Sequence, residues 1–107
     1  MALSTNTQSA SQIRNHAVGQ VVTDSASAAA ATFSCGFTPR VVRFHNVTDR
    51  ISDEWFEGMA DASSLHTVAA GTRTLETSNG ITVANDGFTV NATTMVASKV
   101  FYWEAIG

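Results

Sequence analysis

Carboxylates are the side chains best placed to do chemistry in this sequence, because five of them fall within 13 residues. They are Asp49, Asp53, Glu54, Glu57 and Asp61. Carboxylate oxygens are the ligands that Ca²⁺ prefers, and a pair of carboxyl groups could act as general acid and base. The Asp-x-Asp-x-Asp-Gly spacing of a calcium-wrapping loop is missing, and Asp53 and Glu54 would point to opposite faces of a strand. The pattern therefore favours a solvated or interface-facing edge.

The three histidines and the single cysteine do not have catalytic or metal-binding spacing. His16, His45 and His66 are too far apart for a local metal motif, and Cys35 has no neighbouring motif that would activate a thiolate. We expect surface or hydrogen-bonded histidines and a small buried thiol. The sequence thus predicts no enzyme activity, no catalytic residue, no metal and no cofactor.

Aromatic and arginine side chains indicate contacts with other molecules. Trp55, Tyr102 and Trp103 could stack on a sugar ring, although packing in the core or in a subunit interface is the favoured interpretation. Five of the six basic residues are arginine, which is enriched where protein surfaces meet. These residues favour binding to proteins.

Composition predicts one all-β domain. The chain has 107 residues, of which only 14% are charged, and Ala, Thr, Ser and Val together supply 52 of them. Abundant β-branched residues with a single lysine favour strands. The net charge of −3 argues against nucleic acid as a partner, and no apolar run approaches the length of a membrane span. The polar start lacks the features of a signal peptide, so we expect an intracellular protein.

Alternating apolar residues locate the strands. Val42 and Phe44 alternate with Arg43 and His45, and residues 51–56 form a second alternating run. Two turn signals, Ser78-Asn79-Gly80 and Asn85-Asp86-Gly87, predict tight hairpins, and residues 95–106 predict a long central strand. Eight or nine such strands predict a single β-sandwich of jelly-roll-like or similar topology.

The first residues differ from the rest of the chain. Residues 1–16 are mostly polar and predict an extended N-terminal arm, whereas residues 17–107 predict the β-sandwich domain. Such an arm would order on a partner chain.

Several sequence blocks resemble small virion proteins of tailed bacteriophages. The resemblance covers about residues 33–107 and rests on Gly36–Val42, Glu54–Ala62, Ala69–Leu75, Ser78–Val83, Gly87–Val90 and Tyr102–Ala105. It implies a capsid decoration, or cement, protein that binds the outside of the shell and stabilises it by bridging major capsid subunits. It also implies a homo-oligomer, with a trimer favoured over a dimer, made in the host cytoplasm and located on the capsid surface. The alternative is a tail or fibre-associated β-domain, acting as an adaptor or a host-glycan-binding module.

On these grounds we expect residues that contact partner proteins and no catalytic residues. The expected contacts with the major capsid protein or with other copies lie in residues 1–22, on the exposed face of one strand and in the loop from Trp55 to Asp61. They are Ile13, Arg14, Val18, Val21, Arg40, Arg43, Trp55, Glu57, Met59 and Asp61.

Overall fold

The computed structural model describes residues 15–107, which form eight strands. The strands are β1 (His16–Val22), β2 (Ala31–Ser34), β3 (Val41–Asn46), β4 (Ile51–Phe56), β5 (Ser63–Thr67), β6 (Arg73–Ala84), β7 (Gly87–Val90) and β8 (Val100–Ile106). The all-β class is confirmed. Over this part of the chain, no helix has the length and apolar character needed to cross a membrane.

Hydrogen bonds join the strands into one antiparallel sheet in the order β1-β8-β3-β4-β5-β6-β7-β2. The sheet curls, because Phe33 on the β2 end packs against rings on β3 and β8 near the other end. Its ring centroid lies 5.7 Å from that of Phe44 and 5.9 Å from that of Trp103. The predicted sandwich of two sheets is not confirmed, since all eight strands belong to one sheet.

The core lies on the concave side of the curl, which we call the inner face. Val42 and Phe44 are buried there, as their alternation predicts, and Trp55 joins them from β4. The buried hydrophobic residues are Val42, Phe44, Trp55, Ile81, Phe88, Val90, Met95, Phe101 and Ala105. Seven of the eight strands surround this cluster through residues of β3, β4, β6, β7 and β8, with Val21 and Phe33 packed against it.

The hairpin predicted at Ser78-Asn79-Gly80 is wrong. These residues lie inside β6, a continuous strand of 12 residues. Opposite them the register with β5 shifts between Ser63 and Ser64, which marks a β-bulge. Gly80 donates its N–H to the Ala62 carbonyl at 2.9 Å, so the glycine permits close backbone approach at the bulge rather than a turn.

Two further predictions concern the second half of the chain, a hairpin at Asn85-Asp86-Gly87 and a long last strand. The Asn85-Asp86-Gly87 hairpin is confirmed, because Ala84 pairs with Gly87 across a two-residue turn. The last strand lies between β1 and β3, as expected of a central strand, but it begins at Val100. Residues 91–99 form a loop instead, which begins where the Asn91 carbonyl accepts the N–H groups of Thr94 and Met95.

The predicted arm falls mostly outside the described residues and stays a prediction. His16 is the first residue of β1 and pairs with Ile106, and the carbonyl of the preceding Asn15 accepts the Gly107 N–H at 2.8 Å. The rest of β1 pairs with β8 up to Val22.

Candidate functional site

The convex side of β1, β8, β3 and β4 forms a surface that we call the outer face. The register aligns Val18, Glu104, Arg43 and Glu54 in one row across these four strands. Because side chains alternate along each strand, all four point away from the core. The row brings together charges that are far apart in the sequence.

A ladder of ion pairs follows this row. His16 Nε2 lies 2.9 Å from Glu104 Oε2, and Arg43 Nη1 donates to Glu104 Oε1 at 3.1 Å. Arg43 Nε also donates to Glu54 Oε2 at 3.2 Å, and its guanidinium carbon lies 5.9 Å from the centre of the Phe56 ring. Hydrogen bonds from His16 and then from Arg43 hold the pKa of Glu104 below its ordinary value. Arg43 is thus fixed between two strands.

Replacing Glu104 by glutamine is expected to lower stability at neutral pH by up to about 1 kcal/mol, because the ladder is partly exposed to water. A lowered pKa means that this contribution is present above the ordinary carboxyl pKa of 4.5 and is lost as the pH falls through the lowered folded value. Urea unfolding of both proteins at about pH 7 and below about pH 3 measures it. The difference between the two proteins should vanish in acid. A difference independent of pH would contradict the charge argument.

Exposed apolar side chains lie beside the ladder at the β1 end of the outer face. Val18 and Val22 on β1 are 69% and 67% exposed, and Tyr102 on β8 is 47% exposed. Gln20 lies between the two valines and donates to the Tyr102 hydroxyl at 2.9 Å. The four side chains form one continuous strip, which is typical of a surface that another protein covers.

The free edge of β1 borders this strip. Bonds at both ends of the strand, from Gly107 N–H to the Asn15 carbonyl and from Thr23 N–H to the Lys99 carbonyl, show that odd-numbered residues of β1 bond to β8. The alternation of an antiparallel ladder then directs the N–H and C=O groups of even-numbered residues outward. Within residues 15–107, no strand pairs with this edge. We call the edge and the strip together the β1 surface.

Four of the predicted contact residues lie outside the β1 surface but at the molecular surface. Arg40 Nε lies 3.6 Å from Glu57 Oε2, so these two residues form an ion pair at the start of β3. Asp61 is exposed in the loop that follows, and Arg43 belongs to the ladder. Of the predicted contacts within residues 15–107, only Val18 lies in the β1 surface.

The remaining predicted contacts are internal or outside the described residues. Trp55 is only 6% exposed and donates from Nε1 to the Ala60 carbonyl at 3.3 Å. Val21 and Met59 are half-buried against the core. Ile13 and Arg14 lie outside the described residues. The structure therefore uses Trp55, Val21 and Met59 to pack the domain.

The five carboxylates were predicted to lie on a solvated or interface-facing edge. This prediction is wrong for Asp53. Asp53 is 2% exposed, and its Oδ1 accepts the Ser64 hydroxyl and lies 2.8 Å from His66 Nδ1. Cys35 also differs from its prediction, since it is half-buried. Among the residues described, no group of three His, Cys, Asp or Glu side chains is placed to hold a metal ion.

Sequence reasoning missed Gln20 as a surface residue, named Tyr102 only as a candidate for stacking on a sugar, and missed the contact of Asp53 with Ser64 and His66. The only sequence signal for the exposure of Tyr102 was the alternation along β8, in which Phe101 and Trp103 face inward.

The chain matches no protein-family model, no curated protein and no solved structure.

Proposed function

We propose that this protein is a structural component of tailed-bacteriophage virions, a capsid decoration protein that binds the outside of the shell. In that role it bridges neighbouring major capsid subunits and stabilises the shell. The observation that carries the docking role is the β1 surface, where an open strand edge borders exposed valines. The resemblance of residues 33–107 to small virion proteins supports the location.

The β1 surface suits docking by strand addition. A partner strand would bond to the outward N–H and C=O groups of Val18, Gln20 and Val22, and the two valine side chains would pack against it. Each contact of this kind is small, but a symmetric shell repeats it many times, so attachment gains from avidity. The same open edge would also serve contact between copies in a dimer or trimer.

The curl of the sheet supports a sandwich-like description of the domain. The rings of Phe33 and Phe88, on β2 and β7, pack against the Trp103 ring of β8 at centroid distances of 5.9 and 5.2 Å. On this proposal the two halves of the single curled sheet cover the core from opposite sides, as the two sheets of a β-sandwich do. This arrangement leaves the β1 surface on the outside.

A host-glycan-binding role has less support than protein docking. It requires an exposed aromatic platform, and neither tryptophan provides one. Trp55 is buried, and Trp103 is half-buried against Phe33 and Phe88. Tyr102 is exposed, but its hydroxyl is bonded to Gln20. The aromatic residues therefore favour docking to a protein.

The copy number of this chain in purified particles tests the proposed location. Quantitative peptide mass spectrometry measures it relative to the major capsid protein. A ratio near one, or a fixed simple fraction of one, is expected for a decoration protein. A few copies per particle would move the chain to the tail, and absence would overturn the virion proposal.

Lysine at both Val18 and Val22 is expected to reduce occupancy on particles by at least about tenfold, because two buried charges oppose docking. The domain should fold, since both side chains are already more than two-thirds exposed. Lysine at Val68 and Leu75, which are 37% and 65% exposed in the β5–β6 part of the sheet, is the matched control. Gel analysis of particles mixed with each protein gives the occupancy. Equal losses for the two pairs would contradict a role of the β1 surface.

Deleting residues 2–14 is expected to weaken attachment to particles without unfolding the domain. The deletion keeps Asn15, whose carbonyl accepts the Gly107 N–H. Occupancy and the thermal midpoint of unfolding are measured on the same preparation. Unchanged occupancy would contradict a docking role for the N-terminal segment while leaving the β1 surface untouched.

A further inference from the structure

A cavity of about 230 Å³ opens on the inner face, which is the side of the sheet opposite the outer face. It lies where the turn between β3 and β4 meets residues 91–99. Its walls include Asp49 and Ile51 from the turn and β4, His66 from β5, and Glu76 from β6. The volume equals that of roughly seven liquid waters, which is room for one long side chain.

His66 presents a hydrogen-bond acceptor to this cavity. Its Nδ1 lies 2.8 Å from Asp53 Oδ1, which also accepts the Ser64 hydroxyl at 2.8 Å. In the tautomer that carries its proton on Nδ1, His66 donates to Asp53 Oδ1, and Nε2 is then the acceptor atom of the ring. Asp53 is 2% exposed and lies on the Nδ1 side of the ring, and His66 is one of the residues that line the cavity. The Asp53 contact fixes the ring in this orientation.

Glu76 supplies a negative charge beside that acceptor. The register pairs Glu76 with Ser64 and Thr74 with His66, so Glu76 and His66 are diagonal neighbours on the inner face. Glu76 Oε1 accepts the N–H groups of Ser78 and Asn79, each at 3.1 Å. These two bonds hold the pKa of Glu76 below its ordinary value, so the carboxylate is ionised and fixed in place.

The rest of the cavity adds polar atoms and apolar walls. Asp49 is paired with Lys99 Nζ at 3.1 Å, so its charge is already balanced. Asn79 and Thr93 contribute further oxygen atoms, and Ile51 contributes an apolar wall. The cavity thus combines one fixed anion, one ring acceptor and an apolar side.

We propose that this cavity binds the guanidinium group of an arginine side chain carried by a partner protein. A guanidinium is planar, positively charged and able to donate to separate acceptors at once, as Glu76 and His66 require. Its aliphatic stem would lie along Ile51. The cavity is smaller than the 300 Å³ or more typical of sites for whole small molecules, which favours a single side chain. The proposal does not depend on where the protein acts.

Titration of the full chain with N-acetyl-arginine N-methylamide tests the site, followed by NMR of the His66 ring and the β6 amides. We expect saturable binding with a dissociation constant of about 1 mM. The citrulline analogue, which is uncharged and of the same shape, should bind at least about tenfold more weakly. The lysine analogue should also bind more weakly. Equal binding of either analogue would overturn the guanidinium site, and tighter binding of free methylguanidine would overturn its assignment to a protein side chain.

Two variants place the binding in this cavity. Glu76→Gln keeps an oxygen for the N–H groups of Ser78 and Asn79 and removes only the charge, and it should weaken arginine binding at least about tenfold. His66→Asn keeps a donor for Asp53 and removes the Nε2 acceptor, with a smaller loss expected. Glu57→Gln, the same change at an exposed glutamate outside the cavity, should leave binding unchanged. Unchanged binding by the Glu76 variant would overturn the proposal.

Discussion

Phe44→Ala is expected to lower the free energy of unfolding by about 3–5 kcal/mol. Phe44 is fully buried on β3, and its ring packs against rings from β2 and β7 at the far end of the curled sheet. The ring centroids of Phe33 on β2, Phe88 on β7 and Phe101 on β8 lie 5.7, 6.4 and 5.3 Å away. Alanine would leave a cavity at the point where the sheet closes on itself, and the surrounding rings can fill it only in part.

Denaturant unfolding followed by tryptophan fluorescence measures this loss. Phe56→Ala is the matched control, because Phe56 is 38% exposed on the outer face, and it should cost less than about 1 kcal/mol. A domain of this size has a total stability of about 5–15 kcal/mol, so this loss removes a large part of the stability. Similar losses for the two variants would contradict the curled arrangement of the sheet.

The strands in which inward- and outward-facing residues clearly alternate could be predicted from short stretches of sequence. β3 and β4 appear where Val42 and Phe44, and then Asp53 and Trp55, occupy every second position. The turn at Asn85-Asp86 was also predictable, because Asn, Asp and Gly are the residues that turns favour. These features depend on neighbours within about ten residues, which the sequence displays directly.

The Asp53 site was not predictable in the same way. Asp53, Ser64 and His66 meet only because β4 pairs with β5 in one register, in which Asp53 lies opposite His66. A shift by one residue would turn His66 to the outer face. The sequence gives no local signal for that register, so a buried and hydrogen-bonded aspartate was mistaken for a surface charge.

The β1 surface was predictable only in outline. Exposed Val18 was expected as a contact residue, but the pairing of β1 with β8 places Tyr102 and Gln20 beside it. β8 lies more than 70 residues further along the chain, and its pairing with β1 is a tertiary feature. Edge strands are therefore visible only when the strand order is known.

Gly80→Ala is expected to lower the free energy of unfolding by about 2–3 kcal/mol, although Asn79-Gly80 reads as a turn in the sequence. A Cβ atom at Gly80 would collide with the backbone of Ser63 and Ser64 at the β-bulge. The φ angle of Gly80 is not positive, so backbone conformation alone would tolerate alanine. The cost therefore comes from separating β5 and β6, which also carry His66 and Glu76.

Gly71→Ala is the control for this prediction, since Gly71 has a φ of 93° and open space around it. Its expected cost is about 1 kcal/mol, from the left-handed backbone conformation alone. Gly80→Asn separates the two explanations further, because asparagine tolerates a positive φ but is larger than alanine. Close approach at the bulge predicts that asparagine is worse than alanine at position 80, whereas a turn predicts that it is better. Urea midpoints of the three variants decide between them.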